Sequence, residues 1–255
     1  MGVVKTPADL QGTASLTWRY RDPGKRDSVW AYVPALRRVR AVSPANRSDG
    51  YLGSDISGDD GFGFDGKPQD FEWTLKGRKP MLRLVDPRSL KKDPPPIRRL
   101  DNGGWEIVVP NGPSPVGFLT PGWTGVAWAP NNTARAKREC WVIEAKPKDK
   151  YYLYGAVELW VDTLTWDGTL NRKFSWKGDL VGNYELTARI NHKHGPEDDP
   201  QWVASGTLPY ACAENVKQNR ASVSGIHSFP KAPYESRRPH QKGLFDPDTL
   251  NRFGK

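Results

Sequence analysis

Four aspartates, Asp55, Asp59, Asp60 and Asp65, crowd into the glycine-rich stretch between Ser54 and Gly66. Clustered carboxylate oxygens are what a hard cation such as calcium takes as ligands. The spacing does not follow a helix-loop-helix calcium loop, because with Asp55 as first ligand the glycine position falls on Asp60 and the closing acidic position on Gly66. A solvated turn with self-capping aspartates explains the stretch equally well. His192 and His194 would share one strand face, but zinc takes three or four protein ligands and spacing places no third. The chain is therefore read as holding no metal and no cofactor. It has no Gly-x-Ser-x-Gly, no phosphate-binding glycine loop and no His-Glu-x-x-His, so no catalytic residue is assigned and the protein is read as a non-enzyme. Glycosidases draw their two carboxylates from separate strands and leave no local pattern, which keeps sugar binding or hydrolysis open as an alternative.

Cys140 falls in a strand-like run and Cys212 in a loop. In an exporting cell the two could pair, closing a long loop worth about 4 kcal/mol in chain-entropy terms. In a reducing compartment they would be two thiols. The 38 basic against 29 acidic residues give a net charge of +9, with local clusters at Arg37, Arg38 and Arg40, at Arg98 and Arg99, and at Arg237 and Arg238. The aromatic signature of an RNA-binding sheet is missing, so nucleic acid is not expected as a partner. Anionic head groups or an acidic protein patch fit such a surface better. Eleven tryptophans exceed ordinary core needs. Some are core; others fit the concave face of a curved sheet that holds an apolar or sugar-like ligand.

The elements that must position these groups are strands. Glycine (25) and proline (23) among 255 residues work against long helices, while 11 Trp, 9 Tyr and 8 Phe favour pleated, half-buried surfaces. No run approaches the length of a membrane helix. Strand-like runs lie at 13–20, 28–33, 71–76, 81–85, 105–109, 139–145, 151–161, 170–176, 184–190 and 202–204. Asp22-Pro23-Gly24 makes a hairpin turn between the first two. That many antiparallel strands should curl into a sandwich or barrel. Asp246 and Pro247 start one short helix over 247–252. Residues 91–96 read as a polyproline-like linker, 111–115 as a loop, and 228–255 as an extended Pro/Arg-rich segment packing on a single domain spanning 1–255.

The run Trp30-Ala31-Tyr32-Val33-Pro34-Ala35-Leu36-Arg37-Arg38-Val39-Arg40, the acidic Asp59-Asp60-Gly61-Phe62-Gly63-Phe64-Asp65-Gly66 loop and the Phe71-Glu72-Trp73-Thr74-Leu75-Lys76-Gly77-Arg78-Lys79 strand resemble the bacterial family known as domain of unknown function 1329. The segments Glu139–Ala145, Tyr151–Asp162 and Phe245–Gly254 are similar to its C-terminal half. The resemblance covers roughly Arg19 to Lys255. It implies an all-β, mainly antiparallel fold like that of the lipoprotein-localisation factors LolA and LolB: a strongly curved sheet or incomplete β-barrel plugged by short helices or loops. It also implies export to the periplasm, with outer-membrane association, and a mature or partial chain whose signal peptide is gone. The partners expected are a hydrophobic small molecule or lipid and an inner-membrane exporter or outer-membrane protein. A periplasmic carrier for a lipid-like ligand follows, with a non-binding structural adaptor of an export complex as another alternative. Trp30, Tyr32, Phe62, Phe64, Trp73, Trp141 and Trp160 are the expected ligand-binding residues, Phe62 and Phe64 acting as the plug. Arg37, Arg38 and Arg40 are the expected contacts for an anionic head group or partner.

Overall fold

A computed structural model describes residues 1–43, 47–85, 97–99, 101, 105–107, 116–187, 210–224 and 243–253. The expected features at 91–96, 111–115, 202–204 and 228–242, the four histidines, Arg237 and Arg238 lie outside the described residues, as do the side chains of Arg98 and Arg99. Contacts group the chain into two compact units, residues 1–47 with 238–255 and residues 48–237.

The smaller unit is an antiparallel sheet in the order β1 (Gly2–Val3), β2 (Ala14–Trp18), β3 (Ser28–Val33), β4 (Arg38–Val42). The turn between β2 and β3 forms as expected, with the Lys25 amide donating to the Asp22 carbonyl and the Gly24 amide to the Asp22 carboxylate. Ala14, Leu16 and Tyr32 close a core around Leu250. Leu250 belongs to the short helix α1 (Leu250–Phe253), entered through the 3-10 turn Pro247–Thr249 whose Asp246 cap accepts from the Asp248 amide. The expected helix is therefore present and serves as a core plug.

The larger unit holds β5 (Phe71–Val85), β6 (Ile97–Arg99), β7 (Trp105–Ile107), β8 (Ala134–Pro147), β9 (Ala156–Asp162), β10 (Gly168–Phe174), β11 (Leu180–Thr187), β12 (Tyr210–Asn215) and β13 (Arg220–Ser224). Seven of them form one antiparallel sheet in the order β13-β12-β11-β10-β9-β8-β5, and β6 pairs with β7 separately. β5 fuses two expected strands across Gly77, which sits at φ +106° at a bulge, and across Pro80. An edge strand tolerates both, because half of its N–H groups have no ladder partner to lose.

Sheet spacing would put β5 and β10 about 14 Å apart in a flat sheet. The Thr169 Oγ1 nevertheless lies 3.2 Å from the Met81 Sδ, and Arg135 of β8 reaches Glu185 of β11 at 3.8 Å. This sheet is thus strongly curled, and among the described residues neither sheet closes on itself. The all-β, mainly antiparallel, incompletely closed architecture expected from the sequence is the one found.

Asp162 fixes the end of the curl. Its carboxylate is fully buried and accepts a bidentate pair from Arg138 (2.8 and 2.8 Å), one bond from the buried Arg83 (2.8 Å), and the amides of Leu164 and Thr165. Burial alone would raise this carboxyl, but the donors outweigh it and hold it well below the usual carboxylate range. A depressed carboxyl contributes stability above its unfolded value of about 4 and loses that contribution as pH falls. Asp162→Asn, which leaves the buried Arg83 with only the half-exposed Asp167 at 3.3 Å as a charged partner, is expected to cost about 3 kcal/mol in urea unfolding at neutral pH. The cost should shrink when the same comparison is made in acid.

Candidate functional site

The two faces of the seven-stranded sheet differ in kind. One carries Asn171 and Lys173 of β10, both buried, while Thr169 sits at a bulge with its hydroxyl against Met81. Residues 48–70 cover this face through polar anchors. The Lys173 ammonium meets Asp60 at 2.6 Å, the Asn171 amide donates to the Gly63 carbonyl, and Asp60 also accepts from the Ser57 amide. Asp59 accepts from the Tyr152 hydroxyl, and Asp55 takes Arg220, Asn215 and Ser222. The four-aspartate stretch is accordingly no solvated turn: three of its carboxylates are the anchors that seat it on the sheet. Apolar contacts fill the rest, with Phe64 against Phe71 and Trp73 at 5.2 Å each and Ile56 against Tyr184 and Leu186. Burial lifts the Tyr152 phenol well above its normal range and the Tyr184 phenol to about 12, the nearby aspartates adding to both.

The opposite face is buried at Cys140, Val142 and Asp162 and half-exposed at Trp160, Leu170, Arg172 and Phe174. Register places Val142, Trp160 and Leu170 in one cross-strand row, and Glu144, Glu158, Arg172, Asn183 and Glu214 in the next. The polar row is internally compensated. Arg172 meets Glu158 at 3.2 Å, the Trp160 indole N–H donates to the same carboxylate at 2.9 Å, and Lys76 meets Glu144 at 3.1 Å. Asn183 and the Trp128 indole both donate to Glu214. Arg172 also lies over Phe174, 5.3 Å from its ring centre. An apolar stripe beside a neutralised polar stripe suits an amphiphile: a hydrocarbon chain along Trp160 and Leu170, a hydrogen-bonding group along Glu158 and Arg172. Glu185, next in the row after Leu170, is raised by burial and pulled back by Arg135.

The seven aromatic residues expected to bind ligand divide between the two units, and the five of the larger unit do not converge. Tyr32 is buried in the core of the smaller unit, and Trp30 packs edge-on against Trp18 at 4.7 Å. Phe64 and Trp73 pack together on the Lys173 face, and Trp141, paired with Arg78 across β8 and β5 with the guanidinium 4.1 Å above its ring, points the same way. Trp160 alone of the seven lies on the half-exposed face. Phe62 is 76% exposed at φ +50°. Arg37 takes the left-handed position after the Pro34–Leu36 turn, and Arg38 and Arg40 follow on the exposed edge strand β4 opposite Val33 and Ala31. Cys140 and Cys212 are free thiols on β8 and β12, with three strands between them, so the pairing considered for them is not found. Leu170, Arg172 and Phe174 escaped the sequence analysis because nothing local marks which face of a strand is covered.

Comparisons with known proteins follow the fold. The model of the family described as Protein of unknown function (DUF1329) matches residues 1–251. A putative outer membrane lipoprotein-sorting protein domain from Vibrio parahaemolyticus is similar at 15% identity and a TM-score of 0.58, over 98% of this chain and 76% of that one. A DUF1329 family protein from Desulfovibrio piger is similar at 17% identity and a TM-score of 0.53, over 97% and 75%. A search of curated proteins finds no match. At these identities the structural likeness is one of fold.

Burial raises both thiols, that of Cys212 to about 11. A thiol-specific reagent at neutral pH should label neither cysteine in the native protein and both after denaturation. Mobility on a denaturing gel should be unchanged by reductant.

Proposed function

The chain belongs to the DUF1329 family, and on that premise we propose that it is a periplasmic binding or carrier protein for a hydrophobic, lipid-like ligand, serving an export or outer-membrane trafficking system. The observation that carries this reading is the inverted polarity of β10. Asn171 and Lys173 are buried while Leu170 and Phe174 stay half-exposed beside Trp160. A folding chain gains by burying the apolar set and hydrating the polar one. The reverse arrangement leaves apolar side chains in place for something else to cover. At about 0.8 kcal/mol per buried methylene, a chain of a dozen carbons gains on the order of 10 kcal/mol against such surface before association costs, and no catalytic group is needed.

Glu158 and Arg172 supply the polar end of this site. In the smaller unit, Arg38 and Arg40 beside the exposed Val33 and Val42 offer a contact for an anionic head group or an acidic patch on an exporter or outer-membrane protein. The fold shared with a protein described as lipoprotein-sorting supports both the lipid-handling class and the periplasmic location. On the Trp160 face Glu144, Glu158 and Glu214 are engaged by Lys76, Arg172, Asn183 and Trp128, and Glu185 is met by Arg135 at 3.8 Å, which weighs against a hydrolytic pair.

Binding of a fluorescent fatty-acid probe tests the proposal. The double substitution Trp160→Ala, Leu170→Ser should weaken probe affinity about tenfold or more while the far-ultraviolet circular dichroism stays unchanged. Equal affinity in wild type and variant would remove the Trp160 face as the binding surface.

A further inference from the structure

Two neighbouring turns of the larger unit present apolar side chains outward. Phe62 is 76% exposed, and in the β9–β10 turn Leu164 is 70% and Trp166 71% exposed. Both aromatics hold left-handed backbone, Phe62 at φ +50° and Trp166 at φ +59°, a conformation that costs a non-glycine residue energy and persists only where the surroundings impose it. The surroundings here are densely hydrogen-bonded. Asp162 clamps its own turn through the Leu164 and Thr165 amides and anchors it to β5 and β8 through Arg83 and Arg138, while Arg83 also reaches Thr165 and Asp167.

The second turn is locked to the first. A Cβ at Gly63 would lie 2.9 Å from the Gly168 Cα, and one at Gly168 would lie 2.7 Å from the Phe62 carbonyl oxygen. Asn171 holds the Gly63 carbonyl and Lys173 holds Asp60. Buried ion pairs and a glycine-glycine contact thus fix two strained aromatics and a leucine in water, at a cost that packing inside the fold does not repay.

We infer that the Phe62, Leu164 and Trp166 tips form a membrane-docking surface that inserts into the interfacial region of a lipid bilayer. The footprint selects this occupant. Three side chains projecting from two turns are too few for a stable protein interface, which needs on the order of 1,000 Å² of complementary surface, whereas tryptophan and phenylalanine seat singly at the level of lipid head groups. The net charge of +9 adds long-range attraction to anionic lipid. This inference stands apart from the cargo proposed for the Trp160 face, since docking requires no bound ligand.

Sedimentation with protein-free vesicles of phosphatidylethanolamine and phosphatidylglycerol tests it on the full chain. Wild type should co-sediment, less so at high salt, and the triple substitution Phe62→Ser, Leu164→Ser, Trp166→Ser should lower the partition coefficient about a hundredfold with an unaltered thermal unfolding profile. A control substitution at the other end of β9, Tyr151→Ser with Leu153→Ser, removes two other exposed apolar groups, 83% and 53% exposed, and should leave partitioning unchanged. Wild type remaining in the supernatant, or binding native membranes but not protein-free vesicles, would overturn the inference. So would a triple variant that still sediments, or a control that loses binding as fully as the triple variant.

Discussion

The ammonium of Lys173 is buried in the middle of a sheet and must be neutralised there. An unpaired buried cation is too costly to keep, so Asp60 has to sit 2.6 Å away, and the segment that carries Asp60 has to lie across that face. Once it does, Asn171 finds the Gly63 carbonyl, Tyr152 finds Asp59, and Phe64 joins Phe71 and Trp73. This pair settles which face residues 48–70 cover; the other face is buried at Val142 and Asp162 and half-open along Trp160, Leu170 and Phe174. Trp160, Leu170 and Phe174 are accessible because Lys173 and Asp60 claimed the other side of the sheet.

Much of the fold was legible from local patterning. The β2–β3 hairpin follows from Asp22-Pro23-Gly24, and the closing helix from Asp246 and Pro247. The strands at 71–85, 139–145, 156–161 and 170–174 stand where aromatic and branched residues alternate with polar ones. β4 was missed because arginine alternation on an exposed edge does not read as a half-buried strand, and β12 and β13 because their short alanine and serine runs carry little hydrophobic contrast. The site was far less legible. In the sequence Thr169-Leu170-Asn171-Arg172-Lys173-Phe174, ordinary alternation buries Leu170 and Phe174. Only knowing that Asp60 and Gly63 come from a hundred residues away to satisfy Lys173 and Asn171 reverses that choice. Aromatic count was likewise a poor guide to binding: Tyr32 and Phe64 are packing residues, and only Trp160 among the expected set faces the open side.

Two charged networks divide the work of the larger unit. Lys173–Asp60 determines what is covered, and Asp162 with Arg83 and Arg138 determines how the strand ends are held as the sheet curls. In each network the carboxylate is surrounded by donors that hold it in place. Their shared consequence is a frame that leaves Trp160, Leu170 and Phe174 partly uncovered, as the carriage proposed above requires. The family match and the fold shared with a protein described as lipoprotein-sorting are consistent with such a frame.

Native mass spectrometry of the protein purified without detergent from its own cells, followed by organic extraction and identification of what is released, addresses ligand carriage most directly. A lipid-like carrier should show a bound species heavier than the bare chain that solvent strips away as an acyl-chain or polycyclic compound, and that Trp160→Ala, Leu170→Ser protein fails to retain. A chain found only at its bare mass, which also takes up no lipid when supplied with it, would contradict carriage and leave a structural adaptor in its place.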